Sequence, residues 1–191
     1  MKVLLLNNVP APYFTPLFEK LGETENWELT VCYASGWNSD VGWENAIRSN
    51  SATHTTIILN EPSSTPDVWV RYSWNASFRL LRFLIDHQPD YIICYGYTLR
   101  PQIMAIMWAA ITRTPFAVIG DANYFIDSVT GLKRFLKTLW LRNVVQRAAA
   151  VMAIGTASRR FWESYGGQTE KIFETPFAVD NTFFAKSSCD R

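Results

Sequence analysis

Asp121 stands directly behind an apolar run, Pro115 to Ile119, in the loop Gly120-Asp121-Ala122-Asn123-Tyr124. A carboxylate in such a place can accept a charge-assisted hydrogen bond from a ligand hydroxyl, a contact that contributes about 1.5–3 kcal/mol. The same letters also make an Asx-turn or a helix cap. A second loop, Gly96-Tyr97-Thr98, follows the run Tyr91 to Tyr95 in the same manner. Tyr97 offers a ring that stacks and a hydroxyl that hydrogen-bonds; loop packing uses the same ring. A third loop, Asn7 to Tyr13, is rich in turn formers and follows the N-terminal run Val3 to Leu6. The residues that could face a ligand together are Asp121, Asn8, Tyr13, Tyr97, Thr98, Asn123 and Tyr124. Other chemistry is missing from the sequence. His54 and His87 are far apart, and no His/Cys/Glu cluster has metal-ligand spacing. There is no Walker loop, no GxGxxG and no GxSxG. No metal and no resident cofactor is expected.

Bringing three loops to one place requires particular elements. Tyr91 to Tyr95 suits a strand buried on both faces. Pro101 fits the start of a helix, where its missing N–H costs nothing, and Pro115 opens a second buried strand. Strand, helix and strand of this length make a βαβ unit with parallel neighbours, so both polar loops open at one sheet edge. The rest of the chain alternates in the same way. Phe14, Leu17, Phe18 and Leu21 recur at helical spacing, with Gly22 as a C-cap. Further strands are expected at 28–34, 53–59, 150–154 and 171–176. Asn75 or Ser77 should cap a helix that buries Phe78, Leu80, Leu81, Phe83, Leu84 and Ile85 and stops at Pro89. Ile103 to Ile111 is apolar all round and reads as a buried helix. Two more helices are expected, at 132–149 and from Thr156 to Tyr165. The pattern is α/β: a Rossmann-like, doubly wound, mostly parallel sheet of about seven strands with helices on both faces. With strand order 3-2-1-4-5, the order reverses beside the first strand. Ligands of such folds bind there, beyond the carboxyl ends of the strands. The loops Asn7–Tyr13, Tyr95–Arg100 and Gly120–Tyr124 would then share one crevice.

The 191 residues suit one ordinary domain or slightly more. The net formal charge is +1, so no whole-molecule field points to nucleic acid. The sign is uneven, however. Ser128 to Phe161 contains seven bases and no acid. Lys133, Arg134, Lys137 and Arg142 alternate there with Leu132, Phe135, Leu136, Leu139, Trp140 and Val144. A basic amphipathic helix can lie on an anionic membrane, which would put a peripheral contact at Leu132 to Arg147. A helix whose apolar face covers the sheet and whose basic face is solvated gives the same letters, and the sequence favours that reading. Trp37, Trp43, Trp69 and Trp74 could form a ligand platform or simply pin insertions to the body. Cys32, Cys94 and Cys189 show no CxxC pairing; Cys32 and Cys94 sit in apolar runs as small hydrophobes. This fits a reducing compartment. No secretory leader is evident, and 103–111 is too short for a membrane crossing, which takes about 20 residues. A cytoplasmic location is expected, at most peripheral to the inner face of the membrane.

The succession of motifs resembles the N-terminal domain of family 4 glycosyltransferases, which have the two-domain GT-B architecture. It is carried by Pro12 to Phe18 behind the first strand, Pro89 to Ile93 with Gly96-Tyr97, and Gly120 to Asn123. Ala148 to Ile154, Thr156-Ala157-Ser158, and Lys171-Ile172-Phe173 leading to Pro176 to Asp180 continue it in the family's order. The resemblance implies that 1–184 is the acceptor-side domain and 185–191 the start of a linker or a tail. It implies retaining transfer of a sugar from a nucleotide-sugar donor to a glycan or lipid-linked acceptor, as in polysaccharide biosynthesis. Asp121 would orient the acceptor hydroxyl, and Asn8, Tyr13, Tyr97, Thr98, Asn123 and Tyr124 would hold the acceptor. In that family the donor is held mainly by a second domain with a Glu-x7-Glu pair, which this chain lacks. Many relatives carry paired glycines after the first strand, where this chain has Asn7-Asn8-Val9-Pro10. The resemblance therefore implies half an enzyme, inactive alone, without its donor domain. Inter-domain contacts bury roughly 600–1,500 Å², so the surface around Phe177, Phe183 and Phe184 should be unusually apolar. A free-standing α/β module that binds a sugar or small anion without catalysis is the alternative.

Overall fold

The computed structural model describes residues 1–11, 13–35, 51–60, 74–122 and 130–177. Trp37, Trp43, Trp69, Asn123, Tyr124, Phe183, Phe184 and Cys189 lie outside the described residues. Seven parallel strands form one sheet: β1 (Lys2–Asn7), β2 (Glu28–Tyr33), β3 (Thr55–Ile58), β4 (Tyr91–Tyr95), β5 (Phe116–Gly120), β6 (Ala150–Ala153) and β7 (Ile172–Glu174). Their order is β3-β2-β1-β4-β5-β6-β7. The reversal falls between β1 and β4, as the sequence reading requires.

Successive strand side chains point to opposite faces, and the apolar runs supply both. Leu4 and Leu6 of β1, with Cys94, Val118 and Val151, enter the larger core. Helices α2 (Trp74–His87), α3 (Arg100–Thr112), α4 (Gly131–Arg147) and α5 (Thr156–Ser164) supply its other wall. Val3, Leu5 and Val31 enter the second core, where Phe14 and Phe18 of the α1 (Thr15–Gly22) region stack 5.5 Å apart. Fully burying a Leu, Val or Phe side chain contributes about 1.5–3 kcal/mol, so these two layers carry the fold. Cys32 and Cys94 are buried and unpaired; burial pushes the Cys94 thiol up to about 12. No helix among the described residues is long and apolar enough to cross a membrane.

Several local expectations change. Gly22 is the last residue of α1, not a left-handed cap; a Cβ there would meet the Thr53 carbonyl oxygen at 2.4 Å. Its role is close approach to the segment before β3, and Asn26 takes the left-handed turn instead (φ 65°). Asn75 and Ser77 lie inside α2, with Ser77 buried, so neither caps it. Only Ala76, Ser77, Leu80 and Leu84 of α2 are buried; Phe78 and Ile85 point to solvent. Helix α3 buries Ala105, Ile106 and Ala109 but exposes Met107 and Ile111. Helix α4 buries Leu141, Val144 and Val145, all in its second half, and leaves Leu132, Phe135, Leu136 and Leu139 exposed. The picture of one apolar face against the sheet therefore fails for its first half. These apolar residues recur at helical spacing, but the periodicity does not tell which side a neighbour will cover.

Candidate functional site

The carboxyl ends of β1, β4 and β5 open onto one crevice of about 370 Å³. Asn8, Tyr97, Thr98 and Asp121 all line it, together with Tyr95, Gly96, Leu99, Gln102 and Gly120. The three loops singled out from the sequence do meet. Tyr13 sits just outside the lining. Its ring packs on Phe14 (4.5 Å) and edge-on to Phe177 (6.2 Å), and the Asp121 charge reaches it. Tyr97 is held by packing as well: its ring stacks on Phe161 at 6.2 Å and meets Trp162 edge-on at 5.2 Å. Trp74 is exposed at the start of α2, against the Arg100 guanidinium, and does not line the crevice.

Gln102 is the residue that ties the loops together. Its side chain is almost wholly buried (1 % exposed) although it belongs to an otherwise apolar helix face. Oε1 accepts the backbone N–H groups of Thr98 and Leu99, both at 3.0 Å. Nε2 donates to the Tyr95 carbonyl at 2.5 Å and to Asn8 Oδ1. One amide thus joins the β1 loop, the end of β4 and the first turn of α3. The reach back to the N-cap Leu99 is what a Gln at the third helical position does in a capping box. Gly96 makes room for it. Its φ is +98°, and a Cβ there would meet Gln102 Nε2 at 2.8 Å. The signal was present in the sequence: a lone Gln three residues beyond a helix start. Pro101 is the second helical residue, not the first.

Helix α5 fixes the base of Asp121. Ser158 Oγ, buried, donates to the Gly120 carbonyl at 2.7 Å. The Trp162 ring lies against Gly120, where an added Cβ would approach Cζ2 at 2.9 Å. The indole is fully buried and its N–H has no partner among the described residues, so packing alone holds it. Gly120→Ala should therefore cost about 1–3 kcal/mol by overpacking, read as a lowered urea midpoint. Ser158→Ala should add a smaller loss.

Electrostatics single out a residue that sequence reasoning passed over. Burial raises the Tyr95 phenol well above its ordinary value, and the charges of Asp121 and Tyr13 raise it further. Burial and then Asp121 raise Tyr13. In the sequence Tyr95 is only the last residue of a buried strand. Strand alternation puts it on the same face as Ile119 and Phe14, with Phe14 edge-on at 5.2 Å. Two phenols and one carboxylate thus stand together at the rim. Such a group can accept and donate hydrogen bonds to a polyhydroxyl ligand.

No family model matches the sequence, and no curated protein matches it. Solved structures match in fold. HepE (Alr3699) of Anabaena, in complex with UDP, superposes with a TM-score of 0.55 at 14 % identity, over 100 % of this chain and 50 % of that one. UDP-N-acetylglucosamine 2-epimerase from Rickettsia bellii gives 0.54 at 14 % identity, over 93 % and 45 %. The lipopolysaccharide outer core galactosyltransferase WaaB gives 0.51 at 12 % identity, over 95 % and 47 %. The fold matches one half of these structures, which are of the GT-B type. The chain spans about half the length of the structures it matches. Both a transferase and an epimerase share this fold, so the reaction has to be argued from the crevice.

Proposed function

We propose that this chain is the acceptor-side half of a retaining glycosyltransferase. It would present a glycan or lipid-linked hydroxyl to a nucleotide-sugar donor bound mainly by a second domain. The observation that carries this reading is the crevice at the switch point, which among the described residues gathers one carboxylate, Asp121, with amide and phenol groups and no basic side chain. A nucleotide diphosphate would call for cations or an open N-terminal helix turn there, whereas a neutral hydroxyl calls for acceptors such as Asp121. Matched structures contain UDP or UDP-glucose in chains about twice as long, which suits a donor held by the other half. Phe173 and Phe177, near the end of the described chain, are each about half exposed, as a surface awaiting a neighbouring domain would be. Asp121 accepts the hydrogen bond of the incoming hydroxyl and aims its oxygen. Asn8, Tyr13, Tyr97 and Thr98 would hold the acceptor, and the proposal extends that role to Asn123 and Tyr124. Family 4 membership and a cytoplasmic site of action complete the proposal.

Amide NMR of the chain during titration tests it. Acceptor-type saccharides should shift the signals of Asn8, Tyr97 and Asp121. UDP-glucose should bind far more weakly, and mixing both should give no turnover. Tight UDP-glucose binding in this crevice, or turnover by this chain alone, would overturn the assignment to the acceptor side.

A further inference from the structure

The crevice holds a charge that nothing in it answers. Asp121 is its one carboxylate, and among the described residues no lysine, arginine or histidine lines it. Asp121 forms no ion pair among those residues. Several bases on the bordering helices are turned elsewhere. Arg100, at the start of α3, lies over the Trp74 ring, 4.3 Å from its centroid. Lys137 of α4 sits over the Phe161 ring at 5.3 Å. Arg159 of α5 pairs with Glu163 at 3.1 Å and with Glu174 at 3.5 Å. Arg160 is two positions from Ser158, which contacts Gly120, so it projects from the other side of α5. The field of Asp121 falls on phenols instead and raises Tyr95 and Tyr13.

Aromatic rings add to that field. Tyr95 and Tyr97 line the crevice and are half-buried. Phe14 meets Tyr95 edge-on at 5.2 Å, Tyr97 stacks on Phe161 at 6.2 Å, and Trp140 Nε1 donates to the Tyr97 carbonyl at 3.2 Å. Both rings are thus held from behind. The face of an aromatic ring is negative and attracts a cation. In the free chain Asp121 is exposed, and water answers its charge. A ligand that fills the crevice displaces that water, and a desolvated carboxylate calls for a counter-charge. A metal is a poor candidate. Hard cations take six or more oxygen ligands, and no three metal-ligating side chains gather among the described residues. An ammonium suits the place, with N–H donors for the carboxylate and a positive charge for the rings. A carboxylate has two oxygens and about four lone-pair sites, enough to accept from an ammonium and from a hydroxyl on adjoining carbons. We infer that the crevice takes a saccharide with a free amino group beside its reacting hydroxyl, Asp121 gripping both while Tyr95 and Tyr97 face the ammonium. This names the substrate class of the acceptor-side reading and rests on it.

Amide NMR titration of the chain with three methyl glycosides tests it: the glucoside, the glucosaminide and the N-acetylglucosaminide. They differ only in the group at one ring carbon, and only the glucosaminide brings a cation. It should bind about tenfold more tightly than the other two. The preference should shrink as salt rises. It should vanish as pH climbs through the pKa of the sugar amine, because the neutral amine offers no ion pair. In Asp121→Asn the preference should fall to near unity, with the thermal midpoint unchanged. Equal affinity for the three glycosides, with shifts at Asn8, Tyr97 and Asp121, overturns the amine and leaves the acceptor-side reading standing. So does a preference that Asp121→Asn retains. Methylammonium binding as tightly as the glucosaminide would reveal a bare cation site and overturn the saccharide. Absence of binding by all three glycosides, or tight UDP-glucose binding at the same signals, overturns both readings.

Discussion

Gln102→Leu should lower stability by about 2–4 kcal/mol and disorder the crevice, the largest folding effect expected of any single change in the site. Leucine fills a similar volume in a place already buried, so cavity formation is a minor part of the loss. The rest comes from four hydrogen bonds. The Thr98 and Leu99 N–H groups, the Tyr95 carbonyl and Asn8 Oδ1 all lose their partner at once. Leaving a buried polar group unpaired costs about 1–3 kcal/mol, and the more exposed members of this set recover part of that from water. Gln102→Glu separates the donor role from the acceptor role. A carboxylate keeps the two N–H contacts but faces two oxygens where a donor is needed, so its folded-state pKa must rise. That contribution is fully present below the ordinary glutamate value and is lost as pH rises through the folded pKa. Urea unfolding at pH 4 and pH 8 should show Gln102→Glu close to wild type in acid and closer to Gln102→Leu in base. The Leu variant should keep a constant deficit. Equal stability of all three proteins would show that the network is ornamental.

The contrast between Gln102 and the strands explains what the sequence could disclose. Runs such as Tyr91 to Tyr95 and Phe116 to Gly120 are short, apolar and bounded by Gly or Pro, and only a buried strand accommodates that combination. Once the strands are fixed, right-handed crossovers leave little freedom in their order, so the meeting of Asn8, Tyr97 and Asp121 followed from topology. Side-chain reach does not follow from topology. Gln102 reads as the polar position of an apolar helix, and its four partners come from three separate segments. Tyr95 reads as strand filler, because its coupling to Asp121 depends on how far the β5 loop bends back. The outer stripe of α4 was hidden for another reason. Leu132 to Val145 carries apolar residues on two opposite sides of the helix, and only the extent of the sheet beneath decides which residues are covered. Trp140 is the boundary: before it the helix has outrun the crevice rim, and after it Leu141, Val144 and Val145 have a core to enter.

Asp121→Asn carries the largest expected effect on ligand binding, and it can be read in two independent ways. The residue is exposed, so the substitution should leave the fold intact. In the free chain its loss removes a negative charge that raises Tyr95 and Tyr13. Their phenolate absorbance should then grow in at lower pH than in wild type. Tyr33, pushed up to about 12 by burial alone, should not move and serves as the internal reference. The stability consequence has a definite sign. Raised phenols stabilise the fold fully below the unfolded value of 10.0. That part is lost as pH climbs from there through the folded values. The wild type should therefore lose more stability in alkali than Asp121→Asn. Acceptor affinity is the second readout. Exchanging a charge-assisted hydrogen bond for a neutral one should weaken saccharide binding about 5- to 10-fold. The two results need not agree, and their disagreement is informative. A shifted phenol titration with unchanged saccharide binding would leave Asp121 where the geometry puts it but take no part of the acceptor's weight from it. The hydroxyl-orienting role would then have to pass to Tyr95 or Tyr13, the other groups of that cluster able to accept a hydrogen bond from the same oxygen.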